Sequence, residues 1–178
     1  MSLFTATLIT GGALAILGGL FLRGGKSFEQ AAKGWLRATL PTLLLFGTAA
    51  IGFLYQISQL GEADFGNIRH ILLIFFAVVG LSAFFLVKDF LAVRGLAILM
   101  LLAAKQLLDA AYMQEPASRL FLVTLTYAGI VLALYIGAAP FKLRDWLEWL
   151  FSRKSRTTIL GSALLAYGVL LTGVAFSY

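Results

Sequence analysis

Six stretches of this chain, residues 3–22, 39–60, 68–87, 90–113, 117–138 and 157–176, are long and apolar enough to cross a bilayer. A crossing takes roughly 20 apolar residues over a hydrocarbon core about 30 Å thick. No water reaches a peptide group at that depth, so each stretch must close its own hydrogen bonds as a helix. The expected fold class is all-α: a polytopic membrane helical bundle of six transmembrane helices, forming one integral membrane domain over residues 1–178. Hydrophobic residues make up 61% of the chain and charged ones 12%, too few charges to wet the surface of a soluble domain. Six spans with short connections use nearly the whole length and leave no room for a separate soluble domain.

The connections alternate in basic content, the pattern that orients membrane proteins. The first holds Arg23, Lys26, Lys33 and Arg37, the third Lys88 and Arg94, the fifth Lys142, Arg144, Arg153, Lys154 and Arg156. The second and fourth hold only Arg69 and Arg119, beside Glu62, Asp64 and Glu115. The expected topology therefore puts both termini outside, and a bacterial inner (cytoplasmic) membrane suits so compact a chain. Ala13-Leu14-Ala15 resembles a signal-peptidase site, but no basic residue precedes the apolar run, so the first segment is expected to remain a span. The net charge of +6 is accounted for by these connections and does not imply a nucleic-acid partner.

Two cytoplasmic connections read as interfacial amphipathic helices. Over residues 26–37, Lys26, Glu29, Gln30, Lys33 and Arg37 recur at helical spacing opposite Phe28, Ala31, Ala32, Trp35 and Leu36. Ser27 followed by Gln30 has the form of a capping box. Over residues 140–151, Lys142, Asp145 and Glu148 oppose Phe141, Trp146, Leu147, Leu150 and Phe151. The three tryptophans, Trp35, Trp146 and Trp149, all fall here and are expected to anchor the chain at headgroup depth, beside anionic lipid. Pro41, Pro116 and Pro140 stand near helix starts, where a missing amide costs nothing.

Helices in lipid associate chiefly where small residues let backbones approach. The first segment carries Thr7, Gly11, Ala15 and Gly19 at four-residue spacing, with Gly12 and Gly18 alongside. The fifth carries Gly129, Ala133 and Gly137, and the sixth Gly161, Gly168 and Thr172. Packing within the chain is the first reading of these faces, an intersubunit contact or homo-oligomer the second. Phe75, Phe76, Phe84 and Phe85 make the third segment bulky by contrast.

Arg94, Lys105 and Asp109 interrupt the fourth segment. Lys105 lies eleven residues beyond Arg94, about 16 Å at 1.5 Å per residue. A central Lys costs about 2.5–3.5 kcal/mol to insert, so Lys105 is expected to face the bundle interior, a partner or a water-filled cavity, with Asp109 at i+4 available to pair with it. Gln56, Gln59, Arg69, His70, Gln106 and Tyr112 fall at comparable depth and are expected to complete one polar cluster. That cluster is either a structural ion-pair network or a solute, ion or proton site.

The chemistry available is narrow. There is no cysteine, and His70 is the only histidine, which excludes thiolate sites, multi-histidine metal sites and bis-histidine haem. The Gly-Gly pairs at positions 11, 18 and 24 follow no strand and make no phosphate-binding fingerprint. Glu62 and Asp64 lie in the connection over residues 61–67, where two carboxylates could bind a cation but a turn rich in glycine and acids is ordinarily just solvated. No cofactor and no metal is expected. The leading expectation is a non-catalytic accessory or scaffold subunit of a larger membrane complex. The alternative is a small-solute or ion permease using Lys105 and Asp109, and an enzyme acting on lipid has least support.

Overall fold

The computed structural model describes residues 1–61, 64–87 and 89–178, so Glu62 and Lys88 lie outside the described residues. Among the described residues eight α-helices follow one another: α1 Leu3–Arg23, α2 Lys26–Gly34, α3 Thr39–Ser58, α4 Arg69–Leu86, α5 Leu91–Ala111, α6 Arg119–Ala138, α7 Phe141–Phe151 and α8 Lys154–Ala175. Short 3-10 turns, Trp35–Arg37 and Gly66–Ile68, lead into α3 and α4. Six helices are long and apolar enough to cross a membrane: α1, α3, α4 with its leading turn, α5, α6 and α8. Their ends lie within three residues of those expected from the sequence.

One local expectation fails. Gly24 and Gly25 take φ of 54° and 131°, conformations open to glycine, and reverse the chain so tightly that α2 already begins at Lys26. Ser27 is then inside the first turn, and no side chain caps this helix, so the Ser27–Gln30 capping box does not form. Residues 26–37 are also not one continuous helix, because the last three wind down as a 3-10 turn before Ala38 extends into α3.

Backbone contact decides the packing. Helices α1 and α8 run antiparallel along their length, with Phe4 against Phe176 at one end and Gly161 against Leu22 at the other. A Cβ added at Gly11 would stand 2.9 Å from the Gly168 carbonyl oxygen, and one at Gly18 would stand 2.5 Å from the Leu165 amide nitrogen. Gly161 and Gly168 meet α1 just as closely. Gly19, expected on this face, meets nothing within 4 Å, and neither does Gly12. The reason is the helical period: four-residue steps drift off a face that turns every 3.6 residues, whereas Gly11 to Gly18 and Gly161 to Gly168 are seven-residue steps that stay on it.

Helix α5 is the hub. It packs on α3, α6 and α1, and contributes to both apolar cores. At one end Phe90, Val93 and Ala97 join Leu36, Ala133, Ile136 and Leu147. At the other, Ala110 and Ala111 join Leu3, Ala6, Leu122 and Leu171. Gly95, which the sequence reading passed over, touches the backbone of α3: a Cβ there would lie 2.5 Å from the Phe46 nitrogen. Gly137 meets Ala97 as expected for α6 packing, whereas Gly129 meets nothing within 4 Å. Helix α4 is peripheral, packs on α3 across the Phe46–Phe84 and Phe53–Phe76 ring pairs, and buries no residue.

Gly18→Ala should therefore cost on the order of 1–3 kcal/mol through overpacking, while Gly19→Ala should be neutral or gain a few tenths from helix propensity. Thermal unfolding of the two variants in the same detergent reads the difference.

Candidate functional site

Two places on the bundle carry polar chemistry: the end at which the basic connections gather, and the outer face of α5.

At the basic end, α2 and α7 lie against each other beneath the spans. Phe28 of α2 packs edge-on against Phe21 of α1 and Phe151 of α7, with centroids 5.2 and 6.0 Å apart. Leu147 and Leu150 are buried, while Lys142, Asp145 and Glu148 are exposed. Arg37 lies over the Phe90 ring at 4.7 Å, and Phe90 is buried although its φ of 56° puts it in the left-handed region. Such a backbone costs about 1–3 kcal/mol in a non-glycine residue. Burial of the ring and the guanidinium above it hold the residue there. Lys33 pairs with Glu29 at 2.6 Å, and Arg144 holds Asp145 through two hydrogen bonds, at 3.0 and 2.7 Å. The Asp145 hydrogen bond, and then the attraction of the same carboxylate, raise the Arg144 pKa above its ordinary value.

The tryptophans differ among themselves. Trp35 is half-buried against the core. Trp146 and Trp149 are exposed, and the Arg156 guanidinium lies 4.1 Å over the Trp149 ring while donating a 2.7 Å hydrogen bond to the Trp149 carbonyl.

Of the surroundings expected for Lys105, the bundle interior is not the one it takes in this chain. Its Nζ donates to Asp109 Oδ2 at 2.7 Å, as the spacing suggested, but the pair is not in the bundle interior. The side chains are 55% and 60% exposed. The cause is the composition of α5. Beyond Leu91 at its start, its inward faces are filled by Ala92, Val93, Gly95, Ala97, Ala104, Ala110 and Ala111, small enough for α3, α6 and α1 to close on them. Only the remaining face has room for a long cationic side chain. Arg94 is on that face too, since eleven residues make three turns plus a small remainder.

Nor does the polar cluster assemble. Arg69 donates to the Ser58 carbonyl at 3.4 Å, closing the end of α3, and Gln59 reaches Ser58 Oγ at 3.4 Å. His70 is exposed and Gln56 half-buried. Among the described residues no hydrogen bond or ion pair joins Gln56, Arg69 or His70 to Lys105 or Asp109. Helix α4 packs chiefly on α3 rather than on α5, the helix that carries Lys105 and Asp109.

Comparison with protein-family models, characterised proteins and solved structures finds no match to this chain. The assignment of a task therefore rests on the geometry of the molecule.

The Lys105 Cα lies six residues from Ala111, about 9 Å inside the end of α5. Removing Asp109 would leave an ammonium unpaired at that depth. Asp109→Ala should lower stability in lipid nanodiscs by about 1 kcal/mol, and the double variant Lys105→Leu with Asp109→Leu should recover it, as read by thermal midpoints.

Proposed function

We propose that this chain is a non-catalytic accessory or scaffold subunit of a larger membrane assembly, with the outer face of α5 as its lateral contact. The observation that carries this reading is the exposed Lys105–Asp109 pair on the central helix of the bundle. Ionisable groups within spans normally turn toward protein or a water-filled cavity, since facing hydrocarbon costs them several kcal/mol. A partner helix offering a polar group at the same depth would remove that cost. The peripheral α4, with no buried residue, leaves a second side of the bundle open to association. A permease reading gains nothing from this arrangement, because a path between these helices would not pass a pair that lies outside them.

The basic end supports a topology with both termini outside. Residues of the first, third and fifth connections meet there, as in the contacts of Phe28 with Phe151 and of Arg37 with Phe90. On this reading it faces the cytoplasm of a bacterial cell, and α2 and α7 lie as amphipathic helices in the interface with their tryptophans among anionic headgroups.

Purification from native membrane in a gentle detergent, with mass spectrometry of what co-migrates, tests the subunit reading. Stoichiometric partners are expected with the parent chain and are expected to be lost from the Lys105→Leu, Asp109→Leu double variant, which keeps its own fold. A double variant that retains its partners would sink the assignment to α5.

Topology has a separate test, made clean by the absence of cysteine. Single cysteines at Ser2 and Ser177 should react with a membrane-impermeant maleimide in intact cells, and those at Ser27 and Ser152 only after lysis.

A further inference from the structure

A groove of about 370 Å³ runs between α3, α4 and α5 at the basic end, walled by Phe46, Phe53, Phe76, Gly80 and Ala83, with Arg94 as its one charged lining residue. It exists because α4 is held off α3 by phenyl rings: the Phe46–Phe84 and Phe53–Phe76 pairs stand edge-to-face with centroids 5.1 Å apart. A glycine seam like that of α1 and α8 would have closed the gap.

We propose that this groove binds one anionic phospholipid of the adjoining leaflet, with its phosphate on Arg94 and an acyl chain along the apolar walls. Three observations select that occupant. The first is length: from Val87 to Phe76 on α4 the groove covers eleven residues, about 16 Å, which is close to half of a 30 Å hydrocarbon core and so to one leaflet. The second is charge. Arg94 is exposed and takes part in none of the ion pairs formed among the described residues. It sits one turn inside α5, and helical side chains lean toward the N-terminus, here the basic end, which carries its guanidinium to phosphate depth. A guanidinium takes a phosphate through paired hydrogen bonds. The third is the chemistry of the walls: apart from Arg94 the lining is apolar, including Phe46, Phe53, Phe76 and Val79, and suits a hydrocarbon chain.

The site differs from a general attraction of acidic lipid to basic loops, because it requires one guanidinium and one groove together. A larger apolar cavity of about 490 Å³, bounded by α1, α5, α6 and α8, has no charged residue in its lining and is the natural contrast.

Native mass spectrometry of the purified full-length chain, titrated with phosphatidylglycerol and with phosphatidylcholine, reads the occupancy directly. The parent should retain one phosphatidylglycerol in preference to phosphatidylcholine. Arg94→Gln should weaken that retention about tenfold, and Ala83→Phe, which plugs the groove without changing charge, should abolish it. Lys142→Gln, a neutralisation at the same end but outside the groove, should leave it unchanged. Equal retention by Arg94→Gln and the parent would overturn the proposal, as would an equal loss in Lys142→Gln. Displacement by inorganic phosphate would overturn it too, since the walls would then contribute nothing. If Arg94→Gln does not fold, Ala83→Phe decides alone, and unchanged retention in that variant rejects the groove.

Discussion

Six of these helices are apolar enough to cross a membrane, and in lipid apolar side chains would gain little by turning to one another, so the contacts that matter most to this bundle are those where two backbones touch. Gly11 and Gly18 of α1 meet Gly168 and Gly161 of α8 closely enough that a single methyl group would collide with the opposite main chain. Gly95 does the same for α5 against α3. These contacts supply dispersion over long stretches of backbone at little cost in side-chain entropy. They fix which helices are neighbours, and the looser contacts fill in around them.

The same economy explains where the charges go. Helix α5 touches three other long helices, and it can do so because its inward faces are, apart from Leu91, alanine, valine and glycine. A face packed that tightly has no place for Lys105 or Arg94. Both cations are left on the outer stripe, together with Asp109, and the helix at the centre of the packing is also the one that presents charge outward. The burial expected for Lys105 follows from the cost of its charge considered alone. The tertiary structure sets that cost against the packing of three neighbours, and the packing wins.

At the basic end, aromatic rings take over the role of glycine. Phe21, Phe28 and Phe151 tie α1, α2 and α7 together, and Phe90 holds Arg37 above it at the price of a left-handed backbone. Rings also separate α4 from α3, leaving the only span without a buried residue beside a groove that carries a guanidinium. Close glycine packing thus joins α1 to α8 backbone to backbone, whereas ring-spaced packing leaves a groove beside α3 and α4.

The sequence by itself determined the six helices long and apolar enough to cross a membrane, their ends to within three residues, the alternation of basic connections and the Lys105–Asp109 pairing, because each follows from local quantities: apolar length, charge and one helical turn. It also marked the small residues of α1 and α8, though it placed Gly19 on the seam where Gly18 belongs, a difference of phase that only a facing helix reveals. The neighbours of each span were beyond it. Nothing local says that α5 is the hub, that its charged face points outward, that Arg69 closes the end of α3 rather than joining Lys105, or that phenyl rings prop open a groove beside Arg94. Those outcomes depend on which backbones can approach one another in three dimensions, and only the tertiary structure decides that.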